Sequence, residues 1–192
     1  MENESMTLPM SMLKKYAKQM FIETGTYDGR TVKMALDAGF EHVISIETDE
    51  HLFKVAMNRF NGDDRVSLIL GDSVQNLTSI SGWLMYPALF WLDAHVQESY
   101  TWGSKMVPLL DELDVLIASD NKHMHNATIM IDDMRCIGVA TGWENITRDM
   151  ITERIFKINK DYTIVYEDSK VAPADIMVAF IDESLLEDTD NG

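Results

Sequence analysis

Three groups of residues in this sequence have types and spacings that can do chemistry. The first is the stretch Phe21-Ile22-Glu23-Thr24-Gly25-Thr26-Tyr27-Asp28-Gly29, where an apolar run ends in a turn holding two glycines and a polar, helix-forming segment follows. Glycine admits positive φ and lets a ligand approach the backbone closely. The helix start adds free N–H groups and a positive dipole end. An ordinary strand-to-helix turn also favours glycine, so the spacing gains meaning only from its neighbours. It is not the dinucleotide fingerprint G-x-G-x-x-G, because Tyr27 stands where the middle glycine belongs. Glu23, just ahead of Gly25, would repel a pyrophosphate and could pair with a ligand bearing an ammonium or sulfonium group.

The second group lies further along. Glu47 closes the next apolar run, at about the offset (~20 residues) at which an acid accepts hydrogen bonds from ribose hydroxyls. Gly71-Asp72-Ser73 closes the third run. Asp and Ser both cap helices well, so one side chain can cap while the other faces a ligand. The third group is Asp93-Ala94-His95 with Asp132-Asp133. Carboxylates gathered in one crevice repel and must be protonated, solvated or bound to a cation. A hard divalent ion with oxygen ligands answers that conflict, whereas loop capping by the same aspartates is the plainer alternative. His95 carries an imidazole whose ordinary pKa suits proton transfer, although a histidine in a loop more commonly serves only as a hydrogen-bond partner.

The elements that must position these groups alternate regularly. Apolar runs predict strands over Met20–Thr24, His42–Glu47, Val66–Leu70, Ala88–Asp93 and Ala127–Asp132, and the periodicity predicts helices over Arg30–Ala38, Glu50–Phe60, Val74–Ile80, Lys105–Ser119 and Thr147–Ile158. The run ALFWLD does not alternate, as expected of a parallel strand covered on both faces. Such alternation gives a doubly wound, Rossmann-like, mostly parallel α/β sheet. Two closing strands, Tyr162–Glu167 and Asp175–Ile181, are too close for a crossover helix and predict an antiparallel hairpin, making seven strands in all. Ligands in these sheets sit at the carboxyl ends of the strands, where each of the three groups falls. A short amphipathic helix over Leu8–Lys18 precedes the alternation. The expected organisation is an extension over residues 1–18, a domain over 19–182 and an acidic tail over 183–192.

Glu23-Thr-Gly25-Thr-Tyr27-Asp-Gly29 resembles the first motif of class I S-adenosylmethionine-dependent methyltransferases, an acid followed by glycines at alternate positions. The resemblance extends over residues 19 to 182, and the final hairpin looks like the sixth and seventh strands of that fold. It implies S-adenosylmethionine as cofactor, with Glu23, Gly25, Tyr27, Gly29, Glu47, Asp72, Ser73 and Asp93 at its site and Asp72 on the adenine amino group. The acids after the fourth and fifth strands are similar to those of metal-dependent O-methyltransferases of the macrocin and catechol types. That likeness implies Asp93, Asp132 and Asp133 as ligands of Mg2+ or Ca2+. The catechol type has a lysine base three residues after its first metal acid. Val96 stands there, so His95 together with Asp93 takes the expected catalytic role.

Composition narrows the partners. The net charge of −16 opposes a phosphate backbone and an anionic membrane surface. A small-molecule acceptor, neutral or cationic, is expected instead. Asp93-Ala94-His95 is not the [Asn/Asp]-Pro-Pro-aromatic run of DNA amino methylation, and the single cysteine, Cys136, follows the fifth strand rather than the fourth, where base C5 methylation would need it. One cysteine allows no intrachain disulfide, and no apolar run reaches the ~20 residues of a membrane span. The early residues look unlike a secretory signal, and a cytoplasmic location is expected. Aromatics in two segments, Tyr100 and Trp102 in 96–104 and Trp143 in 134–146, would roof the pocket. The expected activity is O-methylation of a small molecule. The alternatives are a non-catalytic S-adenosylmethionine-binding or assembly subunit, and aminopropyl transfer from the same cofactor.

Overall fold

The computed structural model describes residues 7–95 and 106–185. Seven strands form one sheet in the order β3-β2-β1-β4-β5-β7-β6. They are β1 (Met20–Thr24), β2 (His42–Glu47), β3 (Val66–Leu70), β4 (Ala88–Leu92), β5 (Thr128–Ile131), β6 (Thr163–Glu167) and β7 (Ile176–Phe180). The helices are α1 (Met10–Lys15), α2 (Arg30–Ala38), α3 (Glu50–Arg59), α4 (Ser73–Gly82), α5 (Leu109–Ala118) and α6 (Arg148–Ile158). Strands β1 to β5 pair in parallel, while β7 runs antiparallel to both β5 and β6. The fold class read from the sequence is thus the one observed, and the closing hairpin forms as expected. A 3-10 turn over Lys122–Asn126, ahead of β5, had no counterpart in the sequence reading.

The central strands β1, β4 and β5 are buried on both faces, which is why β4 reads as an unbroken apolar run. One face carries Ile22, Ile46, Phe90 and Ile129, packed against Leu77 and Ile80 of α4, Leu113 of α5 and Ile151 of α6. The other carries Phe21, Val43, Leu89, Trp91 and Met130, covered by α1 and α2 through Met12, Leu13, Val32 and Ala35. Alternate residues of β1 and β4 therefore serve two cores. Each large side chain buried in them contributes about 1.5–3 kcal/mol relative to exposure.

Helix starts are set by side-chain caps. The Asp49 carboxylate accepts from the Leu52 N–H, Asp72 from Gln75 and Thr147 from Met150. Each cap is worth about 1 kcal/mol and fixes where the preceding loop must end. Strand β1 lies between β2 and β4, and the chain proceeds outward from it in both directions. The carboxyl ends of β1 and β4 form the switch point at which such sheets open a crevice. No helix among the described residues is long and apolar enough to cross a membrane.

Candidate functional site

The turn after β1 is built by its backbone. The Gly25 and Thr26 N–H groups both donate to the Ile46 carbonyl, at 2.9 and 3.2 Å, which ties the turn to β2. Gly25 has φ +86°, and a Cβ there would lie 2.8 Å from the Asp93 carbonyl oxygen. The glycine is required twice over, by its dihedral and by the backbone that follows β4. Tyr27, in the place of the middle glycine, also adopts positive φ, at 52°. Its N–H donates to Glu47 Oε2 at 2.8 Å, and its ring stays half exposed. At Gly29 (φ +80°) an added Cβ would meet the Phe60 ring at 2.6 Å, so this residue brings α2 against α3.

Glu47 is buried at the end of β2. Its two oxygens accept from the Tyr27 and Asp49 N–H groups, both at 2.8 Å. The carboxylate thus fastens the turn after β1 to the loop after β2. Each carboxylate oxygen can accept more than one hydrogen bond, so capacity for ligand hydroxyls remains. Burial pushes its pKa up, and the backbone N–H groups oppose that shift.

Glu23 lies deeper, only 1% exposed beneath the turn. It accepts from the Ser45 hydroxyl at 2.6 Å, and Thr26 Oγ1 lies 2.5 Å from Ser45 Oγ. Burial pushes the Glu23 carboxyl well above its ordinary value. In this structure it anchors the turn from below. Asp72 caps α4, and Ser73, also buried, begins that helix.

On the other side of the switch point, a narrow cleft is lined by Leu92, Asp93, Ala94, His95, Leu109, Glu112, Asp132, Asp133 and Trp143. His95 Nδ1 lies 3.5 Å from Asp93 Oδ1 and 3.3 Å from Asp133 Oδ2, and its ring tilts against Trp143 at 6.5 Å. The hydrogen bond to Asp93 raises its pKa to about 9, with further support from the nearby aspartates. At neutral pH the imidazole is therefore a cation between two carboxylates. The expectation of an imidazole titrating near neutrality does not hold in this arrangement, because the surrounding acids stabilise its charged form.

The acids divide into two groups of potential ligand atoms, each within 4.8 Å: Asp93 with His95 and Asp133, and Asp132 with Asp133 and Asp175. Asp132 is buried, accepts from the Thr7 hydroxyl and receives the Asp133 N–H at 2.8 Å. Burial, first of all, raises its pKa to about 8. Its group already holds a cation: Arg135 reaches Asp133 Oδ1 at 2.6 Å and pairs with the fully buried Asp175. Asp93 and Asp133 are likewise bridged by the His95 cation, so they would hold a divalent ion only with that imidazole deprotonated. Asp132 belongs to the other group.

Sequence reasoning missed Arg135 and Asp175, whose pairing spans distant chain segments. It also missed Glu112. Leu109, Leu113 and Leu116 are buried at helical spacing on α5, and Glu112 falls on that same stripe. An acid inside an apolar stripe was the signal. The segment 96–104 (with Val96, Tyr100 and Trp102), Lys105 and most of the acidic tail lie outside the described residues, while the helix expected from Lys105 begins only at Leu109, after Pro108.

The sequence matches no protein-family model and no curated protein sequence. Solved structures do match. An O-methyltransferase from Bacillus cereus in complex with SAH is similar at a TM-score of 0.56 and 17% identity, over 89% of this chain and 78% of that one. An O-methyltransferase from Streptomyces achromogenes involved in tomaymycin synthesis, in complex with SAM, gives 0.57 and 14%, over 90% and 77%. Spermidine synthase from Thermotoga maritima gives 0.55 and 11%, over 90% of this chain and 55% of that one. What these likenesses establish is the fold. The same architecture carries more than one reaction.

Proposed function

We propose that this chain is a class I S-adenosylmethionine-dependent methyltransferase acting on an oxygen of a small-molecule acceptor. The observation that carries the reading is the gathering of Gly25, Glu47 and Asp72–Ser73 at neighbouring strand ends, with Glu47 bonded directly to the Gly25 turn. Solved neighbours of the same fold in complex with SAH and SAM support it. The spermidine synthase neighbour keeps aminopropyl transfer as a reading to be tested against it.

In this proposal Gly25, Tyr27 and Gly29 seat the methionine part by backbone, Glu47 accepts from the ribose hydroxyls and Asp72 and Ser73 meet the adenine. Glu23 supports the turn from beneath. Asp93, following β4, faces both cofactor and acceptor. A methyl sulfonium is already a reactive donor, so the protein has two tasks: to align the acceptor and to take up its proton. Because His95 is already protonated at rest, the proton's destination is an Asp93 carboxylate oxygen, which the His95 cation helps to keep ionised beforehand. Were Mg2+ or Ca2+ held by Asp93 and Asp133, it would lower the pKa of an acceptor hydroxyl. Asp132 would then support Asp133 through its hydrogen bond to the Asp133 N–H.

Calorimetry with S-adenosylmethionine and with its demethylated product tests the cofactor assignment. Glu47→Ala is expected to weaken binding roughly ten- to hundredfold, because charge-assisted hydrogen bonds of about 1.5–3 kcal/mol each are lost. Unchanged affinity in a folded Glu47→Ala protein would remove Glu47 from the site. A methyl-transfer screen against hydroxylated acceptors, with MgCl2 and with EDTA, tests the reaction. Binding of cofactor with no transfer to any acceptor favours the non-catalytic subunit. Transfer that persists in full in EDTA removes the ion from the chemistry.

A further inference from the structure

The acids that follow β5 are already supplied with donors by the chain itself. Asp132 Oδ1 accepts from the Asp133 N–H at 2.8 Å, and its Oδ2 accepts from the Thr7 hydroxyl. Asp133 Oδ1 lies 2.6 Å from Arg135 Nη2, and its Oδ2 faces His95 Nδ1 at 3.3 Å. Asp175 Oδ1 accepts from the Arg135 N–H at 3.0 Å; its Oδ2 accepts from Arg135 Nη1 and, at 2.7 Å, from the Ser169 hydroxyl. Both oxygens of each carboxylate are thus engaged, although the three groups lie close enough together to surround a cation. Arg135 grips Asp175 through main chain and side chain at once and reaches Asp133 with the other arm of its guanidinium.

Main-chain bonds hold this arrangement. Asp133 is set at φ +60°, and its carbonyl accepts from the Cys136 N–H at 2.8 Å. The Asp175 carbonyl accepts from the Met134 N–H at 2.9 Å, which ties the residue ahead of β7 to the segment after β5. Asp175 is fully buried and Asp133 is 4% exposed, so charges there need a partner in place. A guanidinium is always charged, and its fork suits carboxylates. To enter, a divalent ion would have to displace a tethered cation whose effective concentration is on the order of millimolar. The acids after β5 therefore do not fit such an ion while Arg135 is in place.

We propose that Arg135 is the resident cation of this cluster, standing in the place of a divalent ion, so that the chain works without one. As a statement about methyl transfer this rests on the methyltransferase reading; as a statement about the cluster it stands on its own. Arg135 is a positioning residue. It is absent from the lining of the cleft beside Asp93, and it acts on the site by holding Asp133, whose other oxygen faces His95.

Ion binding to the full chain, with neither cofactor nor acceptor, tests this without turnover. MnCl2 is titrated into the wild type and into Arg135→Met. Paramagnetic broadening of the Asp133, Cys136 and Asp175 amides in two-dimensional NMR reports an ion at the cluster. In the wild type no broadening selective for these amides is expected below about 1 mM, the scale set by the tethered cation. Arg135→Met keeps an unbranched stem and removes the charge. Its carboxylates then repel one another without a counter-ion, and Mn2+ is expected to bind them at least roughly tenfold more tightly. Its thermal transition should rise with added MnCl2, while that of the wild type should not. If this variant does not fold, Arg135→Met/Asp175→Asn removes both members of the pair and should show the same gain. Selective broadening in the wild type below about 1 mM overturns the proposal, as does a folded variant with no gain. Calorimetry with S-adenosylmethionine is run in parallel on the wild type. Absence of cofactor binding would sink the methyltransferase reading and leave the cluster result standing, whereas selective Mn2+ binding beside normal cofactor binding would sink only the resident cation.

Discussion

Replacing Gly25 with alanine is expected to destabilise the protein and to weaken cofactor binding on the order of a hundredfold. Two costs add. A non-glycine residue held at φ +86° pays on the order of 1–3 kcal/mol. The new methyl would also sit 2.8 Å from the Asp93 carbonyl oxygen and 3.3 Å from the Ala94 Cα. Those atoms are backbone, so no rotamer relieves the contact. Either the turn after β1 or the segment after β4 must move, and between them they line the crevice. A misplacement of about 1 Å at such a site costs on the order of a hundredfold. Gly62→Ala is the control, since Gly62 has φ +81° but nothing within 4 Å of its added Cβ. It should show the dihedral cost alone, with a Tm lowered by roughly 2–4 °C per kcal/mol for a chain of this size, and bind S-adenosylmethionine normally. Thermal melts and calorimetry on both variants separate the two costs. A Gly25→Ala protein with wild-type affinity would show that the turn does not touch the ligand.

Stability is expected to fall as pH rises from 5 to 8, and Glu112→Gln is expected to remove one identifiable part of that slope. Burial raises the Glu112 carboxyl from its ordinary 4.5 to about 7, opposed only in part by hydrogen bonds with Ser73 and Thr24. Between those values the folded chain holds a proton that the unfolded chain has released. The unfolded state therefore binds fewer protons, and unfolding becomes easier as pH rises. The contribution is present in full below about 4.5, declines through the window and is gone above about 7. At about 1.4 kcal/mol per pH unit, the loss is on the order of 3 kcal/mol. Glutamine fills similar volume and does not ionise. Urea midpoints for both proteins at pH 5 and pH 8, in EDTA, give the comparison. The wild type should lose stability across this range relative to the variant. Asp132 and His95, raised to about 8 and about 9, and Glu23, buried with its carboxyl pushed up, leave a residual slope of the same sign in both. Parallel slopes for wild type and variant would mean that Glu112 does not titrate in this range.

Local pattern was enough for the scaffold. The strands over Met20–Thr24, His42–Glu47 and Val66–Leu70 and the helix over Arg30–Ala38 form as the sequence predicts, because each depends on residues close in the chain: apolar runs, glycines where a turn needs positive φ, and caps such as Asp49 and Asp72. The doubly wound sheet follows from their alternation, and with it the end of the sheet at which Gly25, Glu47, Asp72, Asp93 and Asp133 gather. What the local pattern does not contain is the company each polar group keeps. Asp132 and Asp133 are adjacent in sequence, yet Asp133 faces His95 while Asp132 turns to Thr7, because strand register and the N-terminal segment decide it. The charge on His95 depends on three carboxylates brought from β4 and β5. Arg135 and Asp175 meet only because β7 returns antiparallel to β5. Glu112 looked like one more acid on a helix until α5 packed its apolar stripe inward and took that carboxyl with it. Sequence alone determined the elements and the end of the sheet where a ligand belongs. Tertiary structure decided protonation, pairing and burial there, because these depend on long-range neighbours and on the loss of water, and neither is a property of adjacent residues.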